Sequence, residues 1–192
     1  MDKTKNVDSY VQSYKESHSK PIDFDYTLGY IHYVIIDNLI SDYNLLDIGC
    51  GTAGYRKLIK NDKSYTGIDY SPKMIDVARG FNPQDKFIIS DFHSFNTGEK
   101  YDAIVDTISG IYYPHTIDNT NKIKSLLTDG GIAVMVVKNM MAIKERIGNI
   151  VKNRKQITEK ELVKMIGMNK FFSFNIDNKK FNVTFLFFQS LK

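Results

Sequence analysis

Cysteine is nearly missing from this sequence. Cys50 stands alone among 192 residues, so an internal disulfide cannot form and a disulfide-stapled scaffold is excluded. A free thiol inside a glycine-rich loop fits a reducing compartment. Long apolar runs are missing too. No window approaches the roughly eighteen uninterrupted apolar residues that cross a bilayer as a helix. Met1-Asp2-Lys3-Thr4-Lys5-Asn6 leads into no apolar segment of the kind a secretory signal carries. The expectation is a cytoplasmic protein with no membrane partner. Internal repeats, low-complexity tracts and Pro/Gly/Ser-rich linkers are also lacking, and no metal site is expected.

What is present is the composition of a folded globular chain, 42% hydrophobic and 25% charged. Its length corresponds to one domain over 1–192, long enough to bury a core. The net charge of +4 permits a nucleic-acid partner without requiring one. Oligomeric state is not legible in a single chain.

After a polar tail over 1–21, Leu28, Ile31, Ile35 and Leu39 recur at helical spacing and predict an amphipathic helix over about 23–41. Strands and helices then alternate. A strand ends at Asp47, a helix follows near Gly54–Lys60, and Tyr65–Asp69 is a short second strand. Ser71-Pro72 starts a helix, with serine as N-cap and proline at the first helical position, running to about Arg79 with Gly80 as its stop. Phe87–Ser90 and Ala103–Ile108 are the third and fourth strands. A helix over about 117–127 ends at Gly130-Gly131, and Ile132–Val137 is the fifth strand. The β-branched runs of the last two strands imply burial on both faces, as in a parallel sheet covered by helices. Thr158-Glu159-Lys160-Glu161 is a capping box. Phe171–Ile176 and Val183–Gln189, either side of Asp177-Asn178-Lys179-Lys180, predict an antiparallel hairpin.

The most informative stretch is Leu45-Leu46-Asp47-Ile48-Gly49-Cys50-Gly51-Thr52-Ala53-Gly54. Glycines spaced G-x-G-x-x-G at a strand end let backbone approach a nucleotide-like ligand with no Cβ in the way. Asp69 follows about twenty residues on, where such folds hold a ribose. A nicotinamide dinucleotide would bring a pyrophosphate to this loop, and negative charge nearby is unwelcome to it. Here Asp47 precedes the first glycine and Asp91 closes the third strand. Carboxylates at these places suit a ligand with an amino group and a positive centre, which points to S-adenosylmethionine.

These residues resemble the class I S-adenosylmethionine-dependent methyltransferases. The stretch 45–54 is similar to that family's first motif, Ile68-Asp69-Tyr70-Ser71-Pro72-Lys73-Met74-Ile75 to its second, and Ser90-Asp91-Phe92 to its third. Tyr101–Val105 resembles its fourth strand and Leu127–Ile132 the turn into its fifth. The resemblance covers roughly 28–190 in order and spacing. It implies a Rossmann-like three-layer α/β sandwich with a mostly parallel seven-stranded sheet and a C-terminal antiparallel hairpin. It also implies roles at matching positions. Asp47 would orient the loop near the methionine amino group, with Gly49, Cys50 and Gly51 lining the cofactor. Asp69 would take both ribose hydroxyls, and Tyr70 and Met74 would flank the adenine. Asp91 would accept from the adenine amino group beside Phe92, while Asp106 and Thr107 would pass under the methionine moiety. Each of these has a plainer reading beside the first: Gly49 and Gly51 as a tight turn, Asp69 as a solvated acid at a strand end, Asp91 as a turn residue, and Met74 as core. Cys50 reads as a small loop-filler and not a nucleophile.

A sulfonium donor is already activated, so positioning supplies much of the catalysis and a general base is optional. His115, after Tyr112-Tyr113-Pro114, and His93 are the base candidates, each otherwise a histidine in a solvated loop. Tyr10 and Tyr14 in the tail read either as a lid or as surface aromatics. The segment 139–157, apolar through Met140, Met141, Ile143 and Ile147 and basic through Lys144, Arg146 and Lys152, is a candidate substrate-covering insertion. Ser109-Gly110-Ile111-Tyr112-Tyr113-Pro114 lacks the Asn/Asp-Pro-Pro-Tyr/Phe motif of amino-methylating nucleic-acid enzymes. The first expectation is therefore O- or N-methylation of a small molecule, releasing S-adenosylhomocysteine. An RNA methyltransferase or a non-catalytic methyltransferase-like binding domain remain the alternatives.

Overall fold

Buried strands decide the layout. The computed structural model describes residues 31–106, 117–138, 169–177 and 182–190, together with Val11, Gln12 and Glu16. It contains helices Ile31–Leu39 (α1), Pro72–Phe81 (α2) and Ile117–Leu126 (α3). Its parallel sheet is built from Tyr43–Ile48 (β1), Asp62–Asp69 (β2), Lys86–Ile89 (β3), Tyr101–Asp106 (β4) and Leu127–Lys138 (β5). These five run in the spatial order β3-β2-β1-β4-β5, a Rossmann-like α/β arrangement. Among the described residues no helix is long and apolar enough to cross a membrane.

Side chains leave successive strand positions on opposite faces, and here both faces are apolar. Tyr43 and Leu45 of β1 join Ala103 and Val105 of β4 in one core, covered by Tyr33 and Ile36 of α1 and Ile75 and Ala78 of α2. Leu46, Ile48 and Ile104 point the other way, into a second core with Ile123 and Leu126 of α3. The three layers thus follow from the unbroken apolar runs, since a sheet buried on both faces needs helices on both.

Polar side chains fix the frame from its lower edge. Asp37 Oδ1 accepts from Tyr43 Oη (3.1 Å), Lys60 N (2.9 Å) and Asn61 N (2.8 Å), joining α1 to the turn before β2. Asp102 accepts from Asn44 N (2.9 Å) through Oδ2 and from Thr128 Oγ1 (2.9 Å) through Oδ1, holding β1, β4 and β5 together.

Several boundaries differ from the sequence reading. The helix expected near Gly54–Lys60 is a single 3-10 turn, Arg56–Leu58. The connection has to carry the glycine loop and then return to the base of β2. Arg56 holds that return in place, bonding Asp62 (3.1 Å), Asp85 (2.7 Å) and the Ile59 carbonyl (3.2 Å). Strand β2 begins at Asp62, earlier than expected. Ser71 does cap α2, its Oγ accepting from Met74 N (3.4 Å), but the helix passes through Gly80 to Phe81. Gly80 does not adopt the positive φ of a glycine stop, and the Asn82 N–H on the Ala78 carbonyl ends the helix one residue later. Helix α3 ends at Leu126 and not at Gly130-Gly131, which lie inside β5 where the pairing with β4 is irregular. Gly130 has a φ of 80° and accommodates that irregularity. The helix expected over 23–41 is observed from Ile31 to Leu39; residues 23–30 and the capping box at Thr158 lie outside the described residues.

Gly67 marks the tightest packing against the loop. A Cβ at this position of β2 would lie 2.8 Å from Cys50 Sγ and 2.9 Å from Phe87 Cδ1. Gly67→Ala therefore lowers stability by about 1–3 kcal/mol through overpacking. Gly80→Ala, helical and open to solvent, raises it by about 0.4–1 kcal/mol by restricting the unfolded chain. Urea unfolding of both variants beside the parent chain checks the pair of signs.

Candidate functional site

The strand order reverses between β1 and β4, and in open α/β sheets ligands bind at the carboxyl ends of strands beside such a reversal. Parallel register brings those ends level: Ile48 lies opposite Ile68 and Asp106, and Asp69 opposite Ile89. The loop leaving β1 has positive φ at Gly49 (70°), Gly51 (57°) and Ala53 (50°). Glycine reaches that region freely, whereas Ala53 carries a steric cost there. Gly49 N and Cys50 N donate to Ile68 O at 2.8 and 3.0 Å, which seats the loop on the end of β2.

Asp69 organises the surroundings. Its Oδ2 accepts from Gly51 N (3.1 Å) and its Oδ1 from Ser71 N (2.8 Å), and its carbonyl accepts from Ser90 N (2.9 Å). One residue thereby joins the glycine loop, the start of α2 and the end of β3. Burial raises the Asp69 carboxyl above its ordinary range, against the lowering effect of the Ser71 and Gly51 N–H groups. Beside it lies a shallow, solvent-open cleft lined by Ile48, Gly49, Ile68, Asp69, Tyr70, Ser90, Asp91 and Phe92. Tyr70 is 68% exposed at its lip, a large ring left largely uncovered.

The other sequence-derived positions divide. Asp47, Cys50, Met74, Phe92 and Asp106 are buried. Asp91 lines the cleft, but its Oδ1 also accepts from His93 N (2.7 Å) and its carbonyl from Phe95 N (2.8 Å), so it shapes a turn as well. His93 is exposed in that turn, outside the cleft lining. Lys122 of α3 donates to the His93 carbonyl (2.7 Å) and sits over the Phe92 ring at 5.2 Å, bracing the turn from below. Met74 packs on α2 and does not line the cleft. The Cys50 thiol donates to Gly51 O (3.6 Å), and burial pushes it well above its usual range, which fits a filler and not a nucleophile. Thr107, His115, Tyr10, Tyr14 and the 139–157 segment lie outside the described residues. Among the described residues no cluster of His, Cys, Asp or Glu is arranged to hold a metal ion.

Two residues that sequence reasoning passed over hold Asp47, which is buried next to the glycine loop and is not among the residues lining the cleft. Tyr33 of α1 and Tyr65 of β2 both donate to Asp47 Oδ2, at 3.0 and 2.5 Å. Asp47 Oδ1 is equally buried and has no hydrogen-bond partner among the described residues. Burial pushes the Asp47 carboxyl up to about 7. The Tyr65 and Tyr33 hydroxyls oppose that rise, while the charges of Asp106 and Asp69 add to it. A buried acid ringed by further acids is a place where positive charge is stabilised.

A family model described as a methyltransferase domain matches residues 39–185 of this chain. A malonyl-[acyl-carrier protein] O-methyltransferase of Ilyobacter polytropus is 32% identical over 95 residues, 46% of this chain and 35% of the relative. The protein of the same name from Acetivibrio thermocellus is 28% identical over 142 residues, 71% of this chain and 47% of the relative. The chain thus spans less than half the length of these two relatives. Among solved structures, the N-methyltransferase NodS of Bradyrhizobium japonicum WM9, in complex with S-adenosylhomocysteine, superposes with a TM-score of 0.69 at 17% identity, covering 95% of this chain and 98% of its own. At that identity the likeness is one of fold.

The buried acid gives a prediction that needs no ligand. Unfolded Asp47 releases its proton near 3.8, whereas folded Asp47 keeps it to about 7. Between those values the native state binds more protons than the unfolded state, so stability falls as pH rises. Asp47→Asn carries no charge at any pH. Its stability relative to the parent should rise by up to roughly 4 kcal/mol between about pH 4 and about pH 8, at 1.36 kcal/mol per pKa unit. Urea unfolding of both proteins across that range measures the difference; a constant offset would refute the placement of a neutral acid here.

Proposed function

The chain belongs to the methyltransferase-domain family with the class I fold, and from that premise we propose that it transfers a methyl group from S-adenosylmethionine to an oxygen or nitrogen of a small molecule. The observation that carries this reading is the cleft on Asp69, where a glycine backbone, an uncovered ring and two carboxylates meet at the end of the sheet. When bound, the cofactor supplies a methyl group already activated on a sulfonium. The residues of the chain then have to bind, orient and exclude water.

Their chemistry fits that task. Each Asp69 oxygen already accepts one backbone N–H and retains a lone pair for a ribose hydroxyl. Tyr70 and Phe92 offer ring surface to an adenine, and Asp91 an acceptor for its amino group. Gly49 and Gly51 present bare backbone. Oδ1 of Asp47, without a hydrogen-bond partner among the described residues, would accept from a cationic donor once ionised, and the methionine ammonium is such a donor. Asp106 and Thr107 pass beneath the methionine moiety. His115, with His93 as a second candidate, serves as base where the acceptor has a proton to lose. The O-methyltransferase names of the matched relatives support an oxygen acceptor.

The proposal extends to the rest of the chain. Residues 1–192 act as one domain, with 1–21, carrying Tyr10 and Tyr14, as tail or lid and 139–157 as a substrate-covering segment. A seven-stranded sheet closes with an antiparallel hairpin of Asn169–Asp177 (β6) and Asn182–Gln189 (β7). The register of Ile132 opposite Gln189, and of Phe174 opposite Phe185, supports this, as does the bond from Ser190 N to Gly131 O (2.8 Å). The free Cys50 thiol fits a reducing, cytoplasmic setting.

Calorimetry of S-adenosylmethionine with the full chain tests the reading. Saturable binding is expected, and its absence at high micromolar concentration would sink the proposal. Asp69→Ala should weaken binding at least tenfold, about 1.4 kcal/mol. It should also cost about 1–3 kcal/mol of stability, because two backbone N–H groups lose their acceptor. Unchanged affinity in this variant would remove Asp69 from the ribose site.

A further inference from the structure

The fold treats the two oxygens of Asp47 differently. Oδ2 accepts from Tyr33 Oη (3.0 Å) and Tyr65 Oη (2.5 Å) and is saturated by them. Oδ1, sealed from solvent, has no partner among the described residues. The proton of the neutral acid therefore belongs on Oδ1, the oxygen that no hydroxyl reaches. Ionising the group without a new donor would leave a bare negative charge on a buried atom, which the interior opposes strongly.

We propose that Asp47 is a proton-exchange site for the methyl donor: the α-ammonium of the donor takes the place of the proton on Oδ1, so each binding event releases one proton to solvent. This rests on the S-adenosylmethionine reading above and deepens it. The balance is simple. The O–H bond of Asp47 breaks and its proton leaves to water. The ammonium keeps its own protons and donates one hydrogen bond to the carboxylate. A neutral acid and a cation become a buried ion pair.

Tyr33 and Tyr65 are positioning residues in this exchange. By occupying Oδ2 from α1 and from β2 they dictate which oxygen carries the proton, and they stabilise the charge once it forms. The groups around Asp47 are consistent with exchange in the neutral range. Among the described residues, the phenols of Tyr33 (α1) and Tyr65 (β2), the thiol of Cys50 (loop after β1) and the carboxylates of Asp69 (end of β2) and Asp106 (end of β4) are the groups that bear on it, and none of these is a cation. Arg56, over the Tyr65 ring at 5.2 Å, is held by Asp62 and Asp85. Burial among acids pushes Asp47 up to about 7, so a proton is present to be displaced.

The test is calorimetric titration of S-adenosylhomocysteine into the full chain, in buffers of low and high ionisation enthalpy. At about pH 6 the binding enthalpy should depend on the buffer, corresponding to about one proton released. The dissociation constant should fall about tenfold per pH unit up to about pH 7 and then level off. In Tyr65→Phe the ionised acid loses a donor, so the levelling point should move to higher pH; Tyr33→Phe should act in the same direction. Asp47→Asn should bind without proton release at any pH. A buffer-independent enthalpy across this range, with binding intact, would overturn the exchange and leave the cofactor reading standing. Equal weakening of Tyr65→Phe at every pH would reduce that tyrosine to a structural role and overturn its part in the proposal. Absence of binding at every pH would overturn both readings.

Discussion

The Asp69 carboxylate is the point on which the site depends. Gly51 N–H, Ser71 N–H and, through the Asp69 carbonyl, Ser90 N–H converge on this one residue. Three segments far apart in sequence are thereby set in register at the end of the sheet. The arrangement costs solvation, since burial disfavours the charged form, and the two N–H donors offset part of that cost. Backbone donors also leave the outward lone pairs of the carboxylate available. The same bonds that shape the cleft therefore prepare it for a ligand with paired hydroxyls.

Charge decides which kind of ligand. Asp69 and Asp106, at the ends of β2 and β4, raise the cost of ionising Asp47 at the end of β1. A pyrophosphate brought to this loop would add negative charge to the same place. A cationic amino acid moiety would relieve it. The short loop matters as well: only a single 3-10 turn follows it, so no long helix dipole is available to offset a phosphate.

Much of this was legible because it is local. Strand β1 announces itself by an unbroken apolar run, and Ser71-Pro72 by the chemistry of caps. The spacing of Asp47, the glycines and Asp69 reports a loop whose backbone needs are met by few residue types. What was hidden depends on tertiary contact. Gly80 looks like a helix stop, yet the helix runs one residue past it to Phe81 and closes with the Asn82 N–H on the Ala78 carbonyl. Gly130-Gly131 look like a terminus and instead lie within β5. Tyr33 and Tyr65 each satisfy the apolar pattern of their element, so nothing in either local sequence marks a hydroxyl aimed at Asp47. Only the parallel register of β1 and β2, with α1 laid across them, brings the three together.

The most direct measurement is a crystal structure of the full chain with S-adenosylhomocysteine. Both ribose hydroxyls are expected within hydrogen-bond distance of the Asp69 carboxylate, and the ligand's ammonium against Asp47 Oδ1 while Tyr33 and Tyr65 keep Oδ2. A ligand seated away from Asp69, or an ammonium held by other groups with Asp47 Oδ1 still unpartnered, would contradict it.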